Sequence, residues 1–110
     1  MATTYKVLGQ SAPSATTATT LYTVPADTSA VISTLVVANR AATAATYRIA
    51  IRPAAATLAN QHYIAYDVAL GASDSTTLTL GITLAATDVV TIYASTANTS
   101  FNIFGSEITE

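Results

Sequence analysis

A chain of 110 residues and 11.3 kDa is long enough for one domain with a single modest core. Charged residues make up 9% of it, against about 25% in ordinary soluble domains, and its net charge of −2 gives no electrostatic footprint for nucleic acid or an anionic membrane. With no cysteine there is no disulfide framework or zinc-thiolate chemistry, and no apolar run approaches the ~20 residues of a membrane helix.

In chain order, Met1–Gly9 predicts a strand in which Tyr5 and Val7 alternate with Lys6 and Leu8. Its start, MATTYKV, has no apolar stretch of signal-peptide length, so the expectation is a soluble chain. Gln10–Thr20 reads as an extended connector around Pro13. Leu21–Val24 is a short strand closed by the turn residues Pro25, Ala26 and Asp27. Ala30–Asn39 is the longest apolar run. Val31, Leu35 and Val37 fall on one face and Ile32, Val36 and Ala38 on the other, which predicts a central strand covered on both sides.

Arg40–Thr46 is a loop, too short and too rich in threonine for a helix. Tyr47–Arg52 alternates, with Tyr47, Ile49 and Ile51 opposed to Arg48, Ala50 and Arg52, and Pro53 ends the ladder. Ala54–Gln61 suits a helical turn or an ordered loop, His62–Asp67 a strand, and Gly71–Asp74 a turn. Ser75–Leu80 alternates again, with Leu78 and Leu80 inward, and Gly81–Thr87 is a connector anchored by Ile82 and Leu84. Asp88–Ile108 reads as a closing hairpin: Val90, Ile92 and Ala94 share one face, Phe101 and Ile103 another, and Ser95–Ser100 forms the loop. About eight short strands separated by turn signals predict an all-β domain. The expected form is an antiparallel two-sheet sandwich, with a jelly roll as one candidate.

Chemistry is sparse. The single histidine, His62, lies outside any nucleophile motif and reads as a surface or interface residue rather than a general base. Asp27, Asp74 and Asp88 fall in turns, where a carboxylate bonds nearby backbone, and no calcium-loop spacing appears. No enzyme, metal or cofactor is expected. Arg40, Arg48 and Arg52 are three of the four basic residues. Arg48 and Arg52 share a strand face and are either forks for a neighbouring subunit's carboxylates or a solvated face, and Arg40 is a further candidate for a subunit interface. Tyrosines such as Tyr5, Tyr63 and Tyr66 suit an interface rim, a core edge or a sugar-stacking platform. Alanine and threonine make up about 40% of the chain. A surface so short of charge points to assembly with neighbours, the alternative being a monomer coated in hydroxyls.

Three groups of residues carry a wider resemblance: LGQSAPSATT with LYTVP, VANR with RIAIRP, and LAATD with IYAST and FGSEI. Together with HYIAYD they make nearly the whole chain similar to small virion structural proteins of tailed bacteriophages, those of cyanophages among them. The resemblance implies a β-sandwich subunit of the virion, made in the bacterial cytoplasm. The expected role is a capsid cement or decoration protein, homo-oligomeric and in contact with the major capsid protein. A tail, neck, baseplate or fibre component is the alternative, and a carbohydrate-binding module a second one. The polar ends MATT and EITE are expected to add strands to a neighbour's sheet.

Overall fold

The computed structural model describes residues 2–109. Eight strands carry the fold: β1 (Ala2–Ser11), β2 (Thr19–Thr23), β3 (Thr28–Asn39), β4 (Ala45–Arg52), β5 (Tyr63–Leu70), β6 (Ser75–Leu84), β7 (Val89–Ala94) and β8 (Thr99–Thr109). Two short 3-10 turns, Pro53–Ala55 and Asn60–His62, lie between β4 and β5. The strands form two four-stranded antiparallel sheets, ordered β1-β8-β3-β6 and β2-β7-β4-β5. The first with the eighth, the second with the seventh, the third with the sixth and the fourth with the fifth is the pairing of a long hairpin wound into a double sheet. That is the jelly-roll connectivity.

The inner faces of the two sheets meet in one core. Ile32, Leu35, Val37, Phe101 and Ile103 from the first sheet pack with Tyr47, Ile49, Val90 and Ile92 from the second. Each large apolar side chain removed from water there stabilises the fold by roughly 1.5–3 kcal/mol. The Tyr47 and Phe101 rings meet edge to face across the sheets, 6.4 Å apart at 76°. Such pairs contribute about 0.5–1.5 kcal/mol beyond their buried area.

Three elements differ from the sequence reading. First, β3 is not apolar on both faces in one phase. A bulge at Ser33 shifts its register against both β6 and β8. Ala30 and Ile32 point inward before it, Leu35 and Val37 after it, so one inward face switches parity midway. Second, β6 runs on through Gly81 to Leu84, because Ile82 and Leu84 continue the inward side begun by Leu78 and Leu80. Third, β7 and β8 are not a hairpin. They lie in opposite sheets, and Ser95–Asn98 arches from one to the other.

The bulge at Ser33 brings β3 hard against β8. A Cβ at Gly105 would run into the Val31 carbonyl oxygen, so only glycine fits between Lys6 on β1 and Ile32 on β3. Asn39, buried at the end of β3, fixes the turns beyond it. Its Nδ2 donates to the carbonyls of Thr43 at 2.8 Å and Gly71 at 3.1 Å, and its Oδ1 accepts from the Ala41 amide at 3.0 Å.

Candidate functional site

The two outer faces are unlike. On the β2-β7-β4-β5 sheet, Ala50 and Thr91 point away from the core yet are 1% and 3% exposed. The segment between β4 and β5 lies over them, and small side chains at those two positions leave it room. Arg52 holds that segment down: Nε donates to the Ala56 carbonyl at 2.8 Å, one terminal nitrogen to the Ala55 carbonyl at 3.3 Å, and the other to Thr91 Oγ1 at 3.3 Å. Asp88 binds it from below, accepting from the Ala54 amide at 2.8 Å and the Ala85 amide at 2.9 Å. His62 is buried, and its Nδ1 accepts from the Ala59 amide at 3.0 Å. It is therefore a loop anchor and not the surface residue that the sequence suggested.

Beside this roof, Arg48 on β4 lies between two tyrosine rings, 4.1 Å from the centre of Tyr66 and 4.2 Å from that of Tyr93. Its guanidinium grips Asp67 at 2.6 and 3.3 Å. A register shift between β4 and β5 brings Asp67 there, in a left-handed conformation at φ 51°. Tyr63 meets Tyr66 edge to face at 4.9 Å. Arg40, at the arch, donates from Nε to Ser100 Oγ at 2.9 Å and from a terminal nitrogen to the Ala97 carbonyl at 3.1 Å. The sequence offered Arg48 and Arg52 as forks for a neighbour or as a solvated face. The structure occupies each fork within the chain.

The outer face of the β1-β8-β3-β6 sheet has no such cover. Tyr5 and Val7 on β1 stand 83% and 46% exposed. With Val31 and Ser33 of β3 and Phe104 and Ser106 of β8 they line an open groove of about 490 Å³. Register places Tyr5 beside Ser106, Ser106 beside Val31 and Val31 beside Thr83, while Val7 sits beside Phe104. The field is apolar and hydroxylic. Lys6, at its margin, is held on the opposite side of β1 by Glu107 at 3.0 Å.

Among the candidates from sequence, the structure gathers Arg48, Tyr63 and Tyr66 into one cluster, puts Arg52 and His62 in the adjoining roof, and leaves Tyr5 alone on the other sheet. Tyr22 and Glu107 were not singled out: the Tyr22 hydroxyl donates to Glu107 Oε2 at 2.5 Å. That bond, together with Lys6, holds the Glu107 carboxyl below its ordinary range, and burial with the same bond drives the Tyr22 phenol far above its own. Among the described residues, no three His, Cys, Asp or Glu side chains gather where they could hold a metal.

The C-terminal end also departs from expectation, whereas Ala2–Thr4 lie on the edge strand β1. Glu107–Thr109 pair with β1 on one side and β3 on the other, so the C-terminal strand has no free edge to offer a neighbour. Met1 and Glu110, the outermost residues of those ends, lie outside the described residues. No protein-family model matches the chain, and no curated protein matches it.

Proposed function

We propose that this chain is a structural subunit of a bacteriophage particle, a decoration protein that cements the head through many modest contacts. The observation that carries this reading is the contrast between the two outer faces. One is roofed over β4 and β7 by the chain's own loop and arginines, with Ile64, Tyr66 and Val68 left exposed only on its edge strand β5; the other is uncovered, apolar and hydroxylic, with Tyr5 83% exposed on its edge strand β1. Tyrosine suits such a place, because its ring packs against a partner while its hydroxyl keeps a polar contact at the rim. Apolar surface of this kind on a small protein marks an interaction site. A contact too weak to hold one subunit holds a lattice of them, since each engaged copy raises the effective concentration of the next contact.

The fold is compatible with this role, and jelly rolls serve capsids, lectins and enzymes alike. The resemblance of the chain to virion proteins of tailed phages points to a virion among these uses, and its small size, low charge and short loops favour the capsid over the tail. Against a sugar platform stands the state of Tyr66: Arg48 occupies one face of its ring, and Asp67 occupies the Arg48 fork.

The test is addition of purified protein to phage heads that lack it, followed by sedimentation. Saturable retention on heads is expected, weakened by Tyr5→Lys and unaffected by Arg52→Lys. Retention on tails alone would move the subunit to the tail. Retention on neither would overturn the proposal.

A further inference from the structure

Each sheet of this fold has two edge strands, and an edge presents unpaired backbone donors and acceptors unless something blunts it. Three of the four are blunted. Edge β1 carries Lys6 and shifts register around Leu8. Edge β2 has five residues, is bulged at Leu21 and runs into Pro25. Edge β5 is broken at Tyr66 and Asp67, with Asp67 at φ 51° and locked to Arg48. Edge β6 has none of these devices where it begins. From Ser75 to Thr79 it pairs in unbroken register with β3, contains neither charge nor proline, and exposes Ser75, Thr77 and Thr79. Its only irregularity, opposite Ser33, comes later at Leu80 and Gly81.

We infer that β6 is a homotypic docking edge, along which a second copy of this chain lays its own Ser75–Thr79 antiparallel. The two four-stranded sheets then become one continuous sheet of eight across a two-fold axis. The occupant follows from self-complementarity. Centred on Thr77, the operation sets Ser75 against Thr79 and Thr76 against Leu78, so hydroxyl meets hydroxyl on the outer face and no like charges meet. Asp74, the nearest charge, falls opposite Leu80, about 20 Å along the strand from its own mate. The same operation on β1 would bring Lys6 towards Lys6, and on β5 Asp67 towards Asp67. The proposal does not depend on the phage reading: it needs only two copies of the chain.

Light scattering on the purified chain tests it. The expected mass is twice 11.3 kDa. Thr77→Lys is expected to give monomers with unchanged circular dichroism that re-associate as salt rises, because screening removes the repulsion between the paired lysines. Thr77→Glu is expected to be monomeric alone and to form mixed dimers with Thr77→Lys, since the two-fold sets position 77 against itself. A wild-type monomer would overturn the inference, as would a dimer indifferent to Thr77→Lys or one dissolved equally by Tyr5→Lys. So would β6 amides that become protected from exchange only when a different virion protein is added, which would assign the edge to that protein.

Discussion

The hydroxyl of Tyr22 and the carboxylate of Glu107 join the two sheets by a 2.5 Å bond from β2 to β8, with Lys6 closing the other side of the carboxylate at 3.0 Å. The ionised Glu107 carboxylate thus supports a contact between the sheets. Hydrogen bonds to a charged group contribute about 1.5–3 kcal/mol, so Tyr22→Phe is expected to cost about that much in urea unfolding at neutral pH.

The same trio sets a pH dependence with two limbs. The Glu107 carboxyl titrates lower in the folded chain than its ordinary 4.5, so its contribution is present above that value and is lost as pH falls through the folded pKa. The Tyr22 phenol titrates higher than its ordinary 10.0, so its contribution is complete below pH 10 and is lost as pH rises above that value. Unfolding free energy measured from acid to alkali is expected to fall at both ends. Tyr22→Phe should flatten both limbs, leaving on the alkaline side the smaller share of Tyr47, whose phenol burial alone raises. An unchanged profile in the variant would place the linkage elsewhere.

Two glycines separate close packing from open surface. Gly105→Ala drives a Cβ into the Val31 carbonyl and is expected to destabilise the fold by about 3 kcal/mol or more, because backbone and not a flexible side chain must move. Gly81 has nothing within 4 Å of the position its Cβ would take and lies in a strand with an ordinary φ. Gly81→Ala is expected to stay within about 0.5 kcal/mol of the parent. Thermal denaturation of the two variants checks the contrast.

Thr99 is fully buried where β8 begins, and its hydroxyl has no hydrogen-bond partner among the described residues. Replacing it by valine keeps the shape and removes the desolvated oxygen. Thr99→Val is expected to raise stability by about 1 kcal/mol in chemical denaturation. A loss of that size would mean that the hydroxyl is satisfied.

His62 and Arg52 govern the roof. His62→Ala removes the acceptor of the Ala59 amide and opens a buried site, so limited proteolysis is expected to cut between Ala54 and Gln61. Cleavage at the Ser95–Asn98 arch instead would show that the roof does not depend on this histidine.

Much of this was legible in the residues, and what was not has physical causes. Alternation, apolar runs and turn residues together located the eight strands; a half-buried strand writes its faces into every second residue, as Tyr47, Ile49 and Ile51 do against Arg48, Ala50 and Arg52. Bulges defeat that code. At Ser33 one extra residue reverses the parity of β3, and the run then looks apolar on both faces. A polar loop such as Ser95–Asn98 shows that the chain changes direction, but an arch between sheets and a hairpin within one use the same residues. The site was harder still. Arg48 finds Asp67 through a shifted register on the next strand, and Tyr22 finds Glu107 from the far end of the chain. Neither pairing leaves a local mark.

The central claim is that neighbours complete the outer face of the β1-β8-β3-β6 sheet. High-resolution imaging of the intact particle tests it most directly. The account predicts repeated density on the head that fits a module of 45 × 27 × 20 Å, with Tyr5, Val7 and Phe104 against another protein. Density with that face turned to solvent, or particles without the protein, would contradict it.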